Sequence, residues 1–243
     1  MSTRTPFGET PEMAAPWVME QSWEHLLFAH WEADPEAMQR LLPGGLEADL
    51  WEGRTWIGIV PFLMTGVHGR GLPPLPGSGR FLETNVRTYV RRRGVPGIYF
   101  FSLEATSASA VRVARSLLRL PYRRADGLLD VDGERRRYVI RRREARFPPA
   151  RLAATYRPLE PSAPAAPGTL EHFLAERYRL FVEPRPGLVL GTEILHPPWC
   201  IARAAAEIDH DGLLPGGLGI TGDPALLHIA ETQHVRAFAP ARM

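Results

Sequence analysis

The stretch Phe81-Leu82-Glu83-Thr84-Asn85-Val86-Arg87-Thr88-Tyr89-Val90, followed after a short basic turn by Gly97-Ile98-Tyr99-Phe100-Phe101-Ser102-Leu103-Glu104, constrains the fold more than any other. Both segments are rich in β-branched and aromatic residues and are joined by Gly94, Pro96 and Gly97, so they read as a β-hairpin. Side chains alternate along a strand, which puts Glu83, Asn85, Arg87 and Tyr89 on one face and Val86, Thr88 and Val90 on the other. A two-residue loop at Gly94-Val95 or Pro96-Gly97 pairs residues whose numbers sum to an odd value, which places Phe100, Ser102 and Glu104 on the face of Arg87; a three-residue loop reverses this. Under the first register, two acids, an Arg, an Asn, a Ser and a Tyr crowd one side of the hairpin. The alternative is a wet outer face of an antiparallel sheet.

Composition narrows the chemistry. All 29 positive side chains are Arg and there is no Lys, so the chain can form no lysine Schiff base with a ketone or pyridoxal phosphate and supplies no P-loop lysine. The single Cys200 excludes an internal disulfide and a cysteine-based metal site and agrees with a reducing compartment. No apolar run reaches membrane-spanning length and the N-terminus lacks a secretory layout, so a soluble, cytoplasmic protein is expected. With 22 Gly and 24 Pro in 243 residues and 44% hydrophobic composition, the chain suits an all-β or α+β fold with an ordinary core and many turns.

Residues 1–16, with Pro6 and Pro11, are expected to form a loose arm ahead of one domain over 17–243. A strand is expected around Trp23 to Trp31, whose His25 and His30, five residues apart, point to opposite faces and serve structure rather than a metal. Asp34-Pro35-Glu36 caps a helix that Pro43-Gly44-Gly45 stops, and a hairpin is expected between Leu46–Leu50 and Thr55–Met64. Gly66 to Gly79 reads as a long loop. Ser107 to Leu120 has the spacing of a helix with Arg112, Arg115 and Arg119 on its polar face. A hairpin turning at Asp132-Gly133 carries Arg135, Arg136, Arg137, Arg141, Arg142, Arg143 and Arg146. Nearby acids and a net charge of only +2 argue against nucleic acid, and this strand is expected to be solvated. Tyr156 to Gly168 reads as an extended crossover, Thr169 to Phe181 as a helix, and Gly187 to Val235 as three or four strands or short helices. His196, His228 and His234 show no metal-ligand spacing, and no cofactor fingerprint occurs.

Arg177 falls in the middle of the apolar face of the expected 169–181 helix. A buried unpaired guanidinium is prohibitively costly, so Arg177 must meet a carboxylate, carbonyls or a ligand anion, with Glu83 and Glu104 the expected partners; the alternative is that it snorkels to water.

Asn85-Val86-Arg87-Thr88-Tyr89-Val90, Gly97 to Leu103, Leu120-Pro121-Tyr122, Leu170 through Glu176-Arg177-Tyr178, and His196 with Trp199 together resemble the uncharacterised YqjF-like family over residues 17 to 240. The resemblance implies a fold similar to acetoacetate decarboxylase. That enzyme has a Pro-Lys-Lys turn whose lysines form and tune the Schiff base; the comparable turn here is Pro121-Tyr122-Arg123, so Schiff-base decarboxylation is excluded while a pocket is still expected. The resulting expectation is an α+β fold with a curved antiparallel sheet or cone-like β-barrel and a few flanking helices, enclosing a polar pocket. A small carboxylate or similar oxyanion would be bound there by Asn85, Arg87, Tyr89, Ser102, Tyr122, Arg123, Arg177 and His196, with no metal or cofactor. An alternative is a lyase or hydrolase with Glu83 or Glu104 as base and Tyr122 as acid. A third is a purely structural polar cluster. Whether the chain forms a homo-oligomer is left open.

Overall fold

The computed structural model describes residues 16–74, 77 and 79–243; the expected arm lies almost wholly outside them. Long strands dominate. β1 (Met19–Ala33), β3 (Thr55–Gly69), β4 (Arg80–Arg92) and β5 (Val95–Ala105) pair antiparallel in the order β1-β3-β4-β5, with short β2 (Glu47–Ala48) on β4. They are followed by β6 (Tyr122–Asp132), β7 (Arg135–Arg142), β8 (Arg151–Pro158), β9 (Ala163–Pro164), β10 (Arg179–Arg185), β11 (Leu188–Leu195), β12 (Cys200–Asp211), β13 (Leu226–Ala237) and β14 (Ala241–Arg242). The helices α1 (Pro35–Leu41), α2 (Ala108–Val113) and α3 (Leu170–Ala175) are short.

The sheet curves until it closes on itself, without forming a regular barrel. From β5 one path runs through β6, β7, β8 and β12 to β13, and another through β10 and β11 to β13. β13, β1, β3, β4 and β5 are thus a wall shared by two strand circuits. Each face of the wall meets a different core. Leu82 and Val86 of β4 pack with Ile57, Ala125, Tyr138 and Leu152. Phe81 and Tyr89, on the opposite face, join clusters with Phe28, Phe62, Trp199 and Leu174. Both faces being covered explains why ten consecutive residues, Phe81 to Val90, are buried although half of them are polar.

The hairpin register is corrected by one residue. Its loop is Arg93-Gly94, with Arg92 opposite Val95 and positive φ angles of 48° and 79°, the left-handed pair that a two-residue hairpin turn requires. Arg87 sits opposite Phe100 as expected, but a β-bulge between Val86 and Arg87 then shifts the pairing, so Val86 meets Ser102 and Thr84 meets Glu104. The extra residue flips the parity beyond it. Ser102 and Glu104 therefore lie on the face opposite Glu83, Asn85 and Arg87.

Several other expectations change for tertiary reasons. α1 forms as expected, with the Asp34 carboxylate accepting from Ala37 N at 2.7 Å. The segment before β3 pairs with β4 instead of β3, leaving only a Trp51–Arg54 bridge at the turn. α2 passes into a π-helical segment, Ala114–Leu118, ended by Arg119 at φ 56°. Tyr156 to Pro158 belong to β8 rather than to a linker. α3 stops at Ala175, and Arg179 to Arg185 instead form β10, whose Leu180 and Phe181 pair parallel with Ile98 and Tyr99; a strand slot lined by aromatic and branched residues overrides helical spacing. The basic strand β7 is only half solvated. Arg136 bonds Glu231 through both carboxylate oxygens at 2.7 Å, and Arg142 is buried against Glu104.

Gly97 marks a tight joint between β5 and β10. A Cβ there would lie 2.7 Å from both the Arg179 carbonyl oxygen and the Phe181 ring. Gly97→Ala is expected to destabilise the fold by about 1–3 kcal/mol through overpacking, read from urea unfolding midpoints; an unchanged midpoint would show that β10 can move freely off β5.

Candidate functional site

The site is built on the odd-numbered face of β4. Glu83 lies opposite Phe62 and Ala105, and Tyr122 reaches it because the start of β6 runs parallel to β5, with Tyr122 beside Leu103. The Tyr122 hydroxyl donates to Glu83 Oε2 at 2.7 Å. Burial pushes the Glu83 pKa up to about 8, with the Tyr122 bond opposing the rise. Glu83 is therefore mostly protonated at neutral pH, which suits it to donate a proton and makes it a base only in alkali. Burial and the neighbouring Glu83 raise the Tyr122 pKa well above 10, so the phenol stays a donor. Arg115 holds the strand entrance, donating through Nε to the Tyr122 carbonyl at 2.7 Å and pairing with Glu144.

Two residues along, Asn85 is 6% exposed and its side chain makes no hydrogen bond, the Oδ1 being fully enclosed. Arg87 follows on the same face, also 6% exposed. One terminal nitrogen donates to the Tyr89 hydroxyl at 3.4 Å and the Leu174 carbonyl at 3.3 Å, while its Nε has no partner. The guanidinium lies over the rings of Phe28 and Tyr89, at 5.2 and 5.7 Å. Among the described residues Arg87 forms no salt bridge, unlike the equally buried Arg136, Arg142 and Arg177.

The Tyr89 hydroxyl lies 2.6 Å from His30 Nε2. Burial first, then Arg87, hold the His30 pKa well below 6.5, so the ring is neutral. With Arg87 donating to the phenol oxygen, Tyr89 donates onward to Nε2, and the proton of His30 is left on Nδ1, which has no partner. Gly58 makes room for this ring: a Cβ there would approach His30 Cδ2 to 2.9 Å. His30, Phe28, Leu174, Ala175, Ile201, Glu171 and His228 line a crevice with a free volume of about 10 Å³, the room of one water.

Arg177 is buried as expected, but its partner is Asp49 rather than Glu83 or Glu104. Its terminal nitrogen meets Asp49 Oδ2 at 2.7 Å, and Nε donates to the Phe173 carbonyl at 2.6 Å. Asp49 also takes Arg91 Nε at 2.5 Å. The Arg177 guanidinium stacks over Phe173 at 4.1 Å and Tyr89 at 5.2 Å, so Arg87 and Arg177 share the Tyr89 ring. His196 supports this corner: its ring faces Tyr178 at 4.4 Å, with its nitrogens against the carbonyls of Pro197 and Arg177.

The other expected site residues lie elsewhere. Glu104 is held by Arg142 at 2.6 and 3.0 Å, with Arg123 at 4.0 Å. Arg123 stacks on Phe147, and the Ser102 hydroxyl is enclosed without a partner on the Val86 side. Asp49 and Arg142 were not singled out as site residues, since neither stands in a motif and only chain closure brings them to their partners. His30 was noticed only for its distance from His25. Among the described residues no group of three or more His, Cys, Asp or Glu could hold a metal.

Residues 20–234 match a family of uncharacterised conserved proteins, DUF2071. The chain belongs to the DUF2071 family. This member is 39% identical to the uncharacterised protein YqjF of Bacillus subtilis over 227 residues, covering 93% of this chain and 92% of that one. Among solved structures, the acetoacetate decarboxylase of Legionella pneumophila superposes with a TM-score of 0.67 at 15% identity, covering 96% of this chain and 92% of that one. The enduracididine biosynthesis enzyme MppR complexed with pyruvate gives 0.60 at 14% identity, over 98% and 94%. At such identities these two structures establish that the DUF2071 chain has an acetoacetate decarboxylase-like fold. No helix among the described residues is long and apolar enough to cross a membrane.

Two measurements test this arrangement. Because the folded-state pKa of Glu83 is raised from 4.5 to about 8, the folded protein binds the proton more tightly. Stability should therefore fall as pH rises through that window, and Glu83→Gln should flatten this part of the profile in urea melts; an equally steep fall in the variant would place the titration elsewhere. Removing Asp49 alone should cost about 3–5 kcal/mol by stranding Arg177, and a cycle of Asp49→Leu with Arg177→Met should recover part of the loss. Additive losses would dissolve the pair.

Proposed function

We propose that this protein binds a small organic acid whose carboxylate is held by Arg87, in a single domain spanning residues 17–243. The observation that carries this reading is the buried Arg87 guanidinium, which has two long hydrogen bonds from one nitrogen, an unpartnered Nε and, among the described residues, no salt bridge to a carboxylate. A buried cation without an anion is costly, and the Nε–H, which has no partner, is free to donate to a carboxylate oxygen, with the long bonds of the neighbouring terminal nitrogen open to exchange for the second oxygen. Arg177 also lies over the Tyr89 ring while remaining neutralised by Asp49. Among structures of the same fold, MppR is described in complex with pyruvate, itself a small carboxylate. The crevice at Phe28 and Leu174 must widen to admit any acid, since it holds about one water.

A second reading adds a reaction. Glu83, whose pKa burial raises to about 8 and which accepts from Tyr122, would then act as general acid in a cofactor-free lyase or hydrolase step on the bound acid, in place of the base role expected of it with Tyr122 as acid. Lacking Lys, the chain carries out no lysine Schiff-base decarboxylation.

Thermal-shift measurements with a panel of two- to six-carbon carboxylic acids test the binding. At least one acid should raise the melting temperature of the wild type, and Arg87→Leu should abolish the shift while remaining folded. Equal shifts in both proteins would move the site away from Arg87.

A further inference from the structure

The reading of Arg87 as a carboxylate anchor leaves Asn85 unexplained. The residue is 6% exposed, its side chain lies on the same strand face as Arg87 and Glu83, and its Oδ1 is enclosed without a hydrogen-bond partner. An enclosed amide oxygen without a donor is costly, and natural cores rarely leave one so. Its neighbours across the strands, Val60 and Leu103, offer it nothing. Beyond it, Tyr122 holds one oxygen of the Glu83 carboxyl from the side.

From this geometry we infer that Asn85, with Glu83 behind it, forms a second recognition point, and that the ligand is an acid bearing a neutral hydroxyl or amide some distance from its carboxylate. This rests on the reading of Arg87 given above and adds the ligand class to it. Alternate side chains on one strand face are about 7 Å apart, which sets the separation between the carboxylate at Arg87 and the second group at Asn85. An amide side chain offers one acceptor and two donors, which a hydroxyl or carboxamide can satisfy and a methyl group cannot. A second carboxylate is disfavoured, because Asn85 and Glu83 offer no cation there. A site built to hydrogen-bond a polar group rejects the analogue that lacks it, since the buried amide is then left unpaired again.

Isothermal titration with two matched series tests the inference. Butanoate, pentanoate and hexanoate are compared with the same acids carrying a terminal hydroxyl or a terminal carboxamide. At one chain length the polar acid should bind about tenfold or more tightly than its plain counterpart, the effect of one well-made hydrogen bond in an enclosed site. Asn85→Leu removes no hydrogen bond of the fold and should remove that preference while plain acids still bind. Should Asn85→Leu fail to fold, Asn85→Ala serves instead: it removes the amide without adding a polar group and should likewise erase the preference while plain acids still bind. Equal affinity of polar and plain acids for the wild type overturns the inference and leaves Arg87 as anchor. Failure of every acid to bind overturns the anchor itself.

Discussion

A guanidinium taken out of water needs negative charge or carbonyl oxygen within hydrogen-bond reach, and this requirement organises the interior of the protein. Arg142 meets it with Glu104, Arg136 with Glu231, and Arg177 with Asp49. Each of these pairs also ties distant parts of the chain together: β7 to β5, β7 to β13, and the segment after α3 to the segment after β2. Arg87 is as deeply buried, but its neighbours are the rings of Phe28 and Tyr89, one phenol hydroxyl and one carbonyl. The exception stands on the wall that both strand circuits share, beside Asn85 and in line with a carboxyl that burial keeps protonated.

The shared wall explains how such a row can exist at all. A strand of an ordinary two-layer sheet leaves one face to solvent, and polar residues gather there. β4 has a core on each side, so its polar residues are placed indoors by topology and must be satisfied by other elements: Tyr122 for Glu83, Tyr138 for Thr84, the Trp56 carbonyl for Thr88. Asn85 and the Nε of Arg87 are left over. His30 Nδ1 and the Ser102 hydroxyl are likewise without partners, but Arg87 alone among these groups carries a full charge.

The sequence made the β4–β5 hairpin, α1, the β6–β7 hairpin and the face carrying Glu83, Asn85, Arg87 and Tyr89 legible, since alternation and turn residues are local signals. The burial of Arg177 was legible too, although the helix used to argue it ends at Ala175. Ser102 and Glu104 were assigned to the wrong face because a bulge one residue wide leaves no mark in composition. Arg177's partner was misassigned for a different reason: Asp49 sits in an unremarkable segment and meets Arg177 only once the sheet has closed. The replacement of helix by β10 is likewise a tertiary effect, decided by the slot beside Gly97.

The account stands on Arg87 being a cation awaiting an external anion, and nitrogen-15 NMR of the arginine side chains addresses that directly. On titration with pentanoate, the Arg87 Nε–H resonance should move and gain protection from solvent exchange, while Arg142 Nε–H, already bonded to Glu104, should stay in place. An Arg87 resonance that is unmoved at saturating acid would contradict the account.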